Sequence, residues 1–559
     1  MIKSIGFKNF RNFKHFPLMP LDDVTILVGK NNAGKSTITK ALRLILNKDG
    51  GLLSFLDNPN SNFNFNVHEV NIGSFDRALC NQASDDFIQF FFEISDYYVE
   101  FDVVKVKNGH GARISRIKVV NGRRYFGFEI NILYESIQGK FIIDPDGDLN
   151  CQKKDIKEIA QRIKRSESLS DLSLSESSGN STIEIHTVLN TGGNLFPTLD
   201  WKHIWSFLFS FDEKSDMDSS SEPHGDFDYL PKATHSDFDR FPEAMQTDYA
   251  DAIRIFSKLA WEFMDNLKEE LQGLPIYFKG AHAATQSIAL KQEDRNDYAA
   301  MIVSDFYNSE SRILPRQDGN RSSKLPENSP CEPSSLGRKF VEKWMKEFEV
   351  GEKFEITDAA GEIFWLKIFT KKDDTPENYT YLADKGVGAI QVMLLLLKIG
   401  AILNKLYPTD KVVVEEHEAG IHLRHLKGRR LIDTKYFGRY YHALLIVEEP
   451  EQNLHPCFQS KLFDLFTELV QLGIQIIVET HSEYMVQRSQ VVAGDIVQGE
   501  PDGSTDDIPF SVFYIDNDLN KPCRRIPYDE RGVFTEDFGE GFFDESSKHA
   551  IAIITRKKR

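Results

Sequence analysis

The sequence predicts an α/β fold, and three observations predict it. Two short apolar runs, 443–447 and 474–478, have the composition of strands buried on both faces, and each ends in an acid-bearing polar segment. A third run, Val24–Val28, passes directly into a glycine-bearing loop and then into helical periodicity over 37–46. The helical pattern 458–472 separates the first two runs, giving the strand, helix, strand spacing of parallel connections.

The chain begins MIKSIGFKNFRNF, where apolar and polar residues alternate, so Ile2–Phe10 reads as a strand and not as a secretory leader. Further strands are expected at Phe87–Ile94, 99–106 and 126–133, and residues 1–150 form the first region. Residues 166–181 and 212–228 are rich in serine and acids without apolar periodicity, which predicts surface loops. Helical patterns at 249–271 and 337–348 flank a third polar stretch, 316–335. Residues 151–350 therefore read as an inserted, mainly helical lid, compact because no heptad repeat is sustained. Strands return from residue 354, and 351–559 form the last region.

A chain of 559 residues has room for two or three structural units. With 41% hydrophobic and 27% charged residues it reads as globular, and a net charge of −18 excludes a surface coated all over in nucleic acid. A local basic groove stays open. The cysteines Cys80, Cys151, Cys331, Cys457 and Cys523 are scattered, with no CxxC pair, which fits a reducing cytoplasm. No apolar run is expected to reach the roughly 20 residues of a membrane span, 393–399 being too short, so the expectation is an intracellular protein with no membrane partner.

Gly29-Lys30-Asn31-Asn32-Ala33-Gly34-Lys35-Ser36-Thr37 fits GxxxxGK[ST] between a strand and a helix. Glycines let backbone N–H groups curl around phosphates, Lys35 reaches the β and γ oxygens, and the Ser36 hydroxyl ligates Mg²⁺. ATP and Mg²⁺ are the expected cofactors. The run 443–447 ends in Glu448-Glu449-Pro450-Glu451, followed by Asn453-Leu454-His455-Pro456. Carboxylates at the end of a parallel strand beside such a loop can hold the metal and polarise the attacking water, so Glu448 is assigned to the metal and Glu449 to the water. The run 474–478 ends in Glu479-Thr480-His481-Ser482, where His481 can donate to the γ-phosphate. Asp384-Lys385-Gly386-Val387-Gly388-Ala389-Ile390-Gln391 opens an apolar helix and can offer further N–H groups to phosphate, with Gly386, Gly388 and Gln391 as nucleotide contacts.

In this order the four motifs resemble the ABC ATPase family, and within it the branch of RecF, SMC and overcoming-lysogenization proteins. The resemblance implies an α/β P-loop ATPase head with a mixed N-terminal sheet and the inserted lid. It also implies a head-to-tail homodimer, or a higher oligomer, in which the signature loop of one subunit covers the ATP of the other. Ile390 stands where that family's signature places serine, so slow or conditional hydrolysis is expected. The same resemblance puts Arg11 and Asn12 near the nucleotide; a solvated edge-strand arginine is the equally open alternative. The segments 448–456 and 479–484 and the tail Gly541-Phe542-Phe543-Asp544-Glu545 look like those of antiphage ATPases, including PtuA of Septu systems and its retron-associated relatives. That likeness implies a sensor controlling a separate effector such as an HNH nuclease; a RecF-like repair ATPase binding DNA, and a nuclease in its own right, are the alternatives.

Three features are read more plainly. His417, His422 and His425 lie among Glu415, Glu416 and Glu418, but the spacing fits no zinc helix. Residues 411–440 read as a hairpin carrying Lys427, Arg429, Arg430, Lys435 and Arg439, either a solvated hairpin or a nucleic-acid or partner contact. Asp516-Asn517-Asp518 reads as a turn and not as a nuclease acid pair.

Overall fold

The structure is a computed structural model. It describes residues 2–67, 70–106, 111–121, 126–133, 136–143, 176–177, 180–181, 183–190, 260–272, 274–280, 290–291, 297–313, 335–359, 363–370, 379–407, 443–499, 505, 508–516, 518, 521–539 and 543–557. The polar stretches 212–228 and 316–334, the histidines at 417, 422 and 425, and the basic hairpin 411–440 lie outside the described residues.

Packing divides the chain into two units. The first comprises Met1–Pro20 and Lys40–Gln272, the second Leu21–Thr39 and Gly273–Arg559. In the first unit one sheet runs in the order Ile183–Asn190, Ser136–Ile143, Phe126–Ile132, Ala112–Asn121, Tyr97–Lys105, Phe87–Ile94, Ile2–Phe10, Phe13–Pro20, with Asn62–Phe63 also on Ala112–Asn121. Its described neighbours all pair antiparallel. Phe87–Ile94 is buried at every second residue, as period-two alternation requires of a sheet with one covered face. Phe7, Phe10, Phe16, Phe90 and Phe101 are fully buried and stack into one another, Phe7 on Phe16 at 4.7 Å between ring centroids. In the helix over 260–271, Ala260, Phe263, Met264, Leu267 and Leu271 form the buried stripe.

The second unit holds a six-stranded sheet in the order Leu274–Lys279, Ala443–Glu448, Ile474–Glu479, Val24–Val28, Phe510–Ile515, Cys523–Ile526. The first five strands are parallel, and Cys523–Ile526 closes the edge antiparallel. Val24–Val28, Ala443–Glu448, Ile474–Glu479 and Phe510–Ile515 are buried at every residue, which explains why their sequences are apolar runs without alternation. The mixed character expected of the N-terminal half is thus divided between two sheets. Its alternating strands stay in the antiparallel sheet, while the wholly apolar Val24–Val28 joins the parallel one. Asp516 follows Phe510–Ile515, its N–H donating to the Pro522 carbonyl beside Cys523–Ile526; Asn517 lies outside the described residues.

Helices Tyr298–Ile313 and Leu336–Glu347 fall within the stretch assigned by chain order to the lid. They pack into the second unit's core, where Phe306, Val341 and Met345 join Met393, Leu397 and Leu445. An amphipathic face shows that a helix is covered but not by what, which is why chain order misplaces them. The expectation that no apolar segment is long enough to span a membrane is corrected by Val387–Leu406: its 20 residues have a mean hydropathy of 1.9 over the most apolar window. Within that window 78% of residues are buried inside the protein, and a helix apolar on all faces is what a core position demands.

Candidate functional site

The parallel register of the second unit lines up strand ends. Lys279 stands opposite Glu448, Glu448 opposite Glu479, and Glu479 opposite Leu27, two residues before the loop begins. In an open parallel sheet the carboxyl ends of the strands are where a ligand docks, and here that edge carries one lysine and a run of acids.

The loop 29–37 is built for close backbone approach. Gly29 has φ +148°, and a Cβ there would meet the Ile515 carbonyl oxygen at 2.3 Å, so only glycine fits. Asn32 and Gly34 also have positive φ, Asn31 and Asn32 face solvent, Ala33 is buried, and the Thr37 N–H donates to the Gly34 carbonyl as helix Lys35–Ile45 starts. Lys35 is buried, its Nζ donating to the carbonyls of Gly29 at 2.9 Å and Lys30 at 3.1 Å. Burial lowers its pKa, and Glu479, Glu449 and Glu451 oppose that shift.

The carboxylates are held unequally. Glu448 is buried, with one oxygen accepting from Thr39 Oγ1 at 2.7 Å and the other 3.9 Å from Lys279 Nζ. Glu479 is equally buried; Oε1 accepts from Ser36 Oγ at 2.9 Å and Oε2 has no hydrogen-bond partner. Burial first, and then the neighbouring Glu448, push the Glu479 carboxyl up to about 7. Glu449 has φ +49°, its N–H donates to the Glu479 carbonyl at 2.8 Å, and its side chain accepts from the Gln452 amide. Glu451 is buried and takes the His481 N–H on Oε1 at 2.6 Å, fixing the backbone that carries the imidazole. His481 lies at the rim, partly open to solvent; what burial it has lowers its pKa, Lys35 adds to this, and Glu449 opposes it. Its ring is therefore neutral at neutral pH, a donor on one nitrogen only. Ser482 caps the next helix, Glu483–Gly499, by accepting from the Met485 N–H.

Ser36, Glu448 and Glu479 offer only hard oxygen donors, which suits Mg²⁺, and the unpartnered buried oxygen of Glu479 leaves capacity for a cation. Among the described residues no three His, Cys, Asp or Glu side chains enclose a metal unaided. That also suits Mg²⁺, which takes one or two carboxylates and completes its shell with water and phosphate oxygens.

Gly386 caps helix Val387–Leu406, and a Cβ on it would meet nothing within 4 Å, so this helix start is open. Gly388 is needed for packing, since a Cβ would lie 2.4 Å from the Asn453 carbonyl oxygen. Gln391, expected to touch nucleotide, is instead buried, its Nε2 donating to the Pro450 carbonyl at 2.8 Å; one turn into an apolar core helix, it braces the turn after Glu448. Ile390 is buried in the same core. Arg11 and Asn12 form the two-residue turn between Ile2–Phe10 and Phe13–Pro20 in the first unit, with the Arg11 N–H on the Ala78 carbonyl at 2.7 Å. They are not among the residues the second unit brings together.

Lys279, Thr39 and Glu479 are the residues of this site that sequence reasoning did not assign. The signal for Glu479 was present: it ends its strand as Glu448 does.

A model of the AAA_15 family, an AAA ATPase domain, matches residues 1–486. A search of curated proteins finds no significant match. Among solved structures the chain is similar to an Smc head bound to the C-winged helix domain of ScpA, at 8% identity over 94% of this chain and 97% of that one, TM-score 0.35. It is also similar to an Smc head domain with an extended coiled coil bound to the C-terminal domain of ScpA, derived from Pyrococcus furiosus (9% identity, 100% and 99% covered, TM-score 0.33). A third similar structure is the SMC head domain from Thermotoga maritima (9% identity, 94% and 99% covered, TM-score 0.28).

Proposed function

Because the chain belongs to the AAA ATPase domain family, we propose that it binds ATP on the loop 29–37 and hydrolyses it with Glu449 as the group that polarises the attacking water. The observation that carries this reading is the strand-end row: one cation and several carboxylates, set by parallel register beside a loop whose backbone is free to wrap phosphate.

Lys35 exchanges the Gly29 and Lys30 carbonyls for the β and γ oxygens, replacing neutral acceptors with charged ones. Bound Mg²⁺, held by Ser36 with a carboxylate of the strand-end row, would neutralise charge on those oxygens. The Glu449 backbone is tied to Glu479, which fixes the direction from which its carboxylate meets water. His481, its backbone held by Glu451, donates to the γ-phosphate as charge gathers there. Purified full-length protein should bind ATP and release phosphate only when Mg²⁺ is supplied. No ATP binding by calorimetry would sink the assignment.

The finer reading rests on motif resemblance together with the open helix start at Gly386. Two copies associate head to tail, the Gly386–Gly388 segment of each completing the ATP site of the other. Nucleotide state then controls a separate effector, an HNH nuclease by class, in an antiphage system of the Septu PtuA or retron-associated kind. The protein alone should leave plasmid and phage DNA intact in Mg²⁺ and ATP, and light scattering should show ATP-dependent dimers. Tight, salt-sensitive binding to gapped DNA without any effector would replace this with the repair reading.

A further inference from the structure

We propose that Glu479, the residue before the Thr480-His481 pair, is the carboxylate that faces the divalent cation of the bound nucleotide, ahead of Glu448. The inference rests on the ATPase reading and adds a cation-binding residue to it. Three observations carry it.

The first is occupancy. Both oxygens of Glu448 already have company inside the protein, from Thr39 Oγ1 at 2.7 Å and Lys279 Nζ at 3.9 Å. Glu479 has one oxygen on Ser36 and a second, Oε2, buried with no hydrogen-bond partner. Leaving a buried carboxylate oxygen unsatisfied is costly, and a cation removes that cost. The second is position. The Ser36 hydroxyl, itself an expected cation ligand, lies 2.9 Å from Glu479 Oε1, so the unpartnered oxygen belongs to the carboxylate next to that ligand. The third is rigidity. Glu479 ends a strand buried at every residue, between Glu448 on one neighbour and Leu27 on the other, and its carbonyl holds the Glu449 N–H. A cation on Glu479 is thereby coupled through one peptide to the backbone of the residue that polarises water.

Gln in place of Glu479 keeps an oxygen for the Ser36 hydroxyl and removes the charge, separating a metal role from a purely structural one. The test uses the full chain loaded with a non-hydrolysable ATP analogue and titrated with Mn²⁺, free Mn²⁺ being read by electron paramagnetic resonance. Glu479→Gln should weaken Mn²⁺ at least about tenfold, and more than Glu448→Gln does. Analogue affinity in EDTA should not fall in Glu479→Gln, because the substitution removes no attraction to the phosphates. Unchanged Mn²⁺ affinity, a larger loss in Glu448→Gln, or a fall in metal-free analogue affinity would each overturn the proposal. Should Glu479→Gln fail to melt cooperatively, Glu479→Asp serves in its place. It keeps the charge but withdraws it by one methylene, so Mn²⁺ should weaken severalfold with metal-free binding intact, and unchanged Mn²⁺ affinity overturns the proposal. Failure of the parent protein to bind the analogue at all refutes the ATPase reading instead.

Discussion

Each unit of the molecule gathers carboxylates, and the two gatherings differ in who neutralises them. On the antiparallel sheet of the first unit, Glu100, Asp102 and Glu129 surround Arg116, at 2.5, 3.5 and 2.7 Å, while the Gln89 amide donates to both Glu100 and Asp102. The parallel sheet of the second unit ends in Glu448, Glu449, Glu451 and Glu479, whose nearby cations serve them poorly. Lys279 stops 3.9 Å from Glu448, and Lys35 is turned to the carbonyls of its own loop. Buried oxygens of Glu451 and Glu479 are left without partners. The first cluster is paired within the chain and reads as structural; the second leaves buried carboxylate oxygens unpaired, which supports the proposed nucleotide and cation site.

The contrast can be broken most forcefully at Lys35. Lys35→Ala should weaken ATP at least about a hundredfold by calorimetry, since it deletes the buried cation that meets the β and γ phosphates. Arg116→Leu should act on stability instead, costing about 2 kcal/mol in a denaturant melt by stranding three partly buried acids, with ATP affinity per folded molecule unaltered. Glu449→Gln should retain ATP, slow phosphate release at least roughly tenfold, and accumulate the ATP-bound dimer in light scattering. Turnover at the parent rate would move the base to Glu448 or Glu451.

The smallest effect concerns an acid in neither cluster. Burial, and secondarily Asp22, push the Asp23 carboxyl up to about 6. The folded state then holds that proton more tightly than the unfolded chain, so stability falls as pH rises from about 4 to about 6. Asp23→Asn should stabilise the protein above pH 6, with no gain below pH 4. Melts at pH 7.5 and 4 that shift equally would refute it.

What the sequence disclosed followed the range of the interaction responsible. The loop 29–37 and the ends of 443–447 and 474–478 were legible because each is a local pattern of apolar run, turn and polar terminus. Glu479 was visible, but its meaning depends on register with Glu448, which residues so far apart in the chain reveal only once the strands pair. Lys279 was hidden for the same reason, its strand lying next to a region of helical patterns. Gln391 was misjudged because a glutamine after glycines satisfies a nucleotide motif and a helix-to-turn brace equally well, and only burial against Pro450 separates them.

The core helix Val387–Leu406 has a consequence for how the chain is made. Tyr298–Ile313 and Leu336–Glu347, which cover part of it, precede it in the chain, but the strands Ala443–Glu448 and Ile474–Glu479 of the same core follow it. At translation rates of about 5–20 residues per second, the later strands arrive seconds after the helix. For that interval a ribosome carries a segment with the length and hydropathy of a membrane anchor, incompletely covered, and competent for capture by whatever recognises such segments. The strands that complete the burial of its most apolar helix are therefore among the last parts of that core to be synthesised.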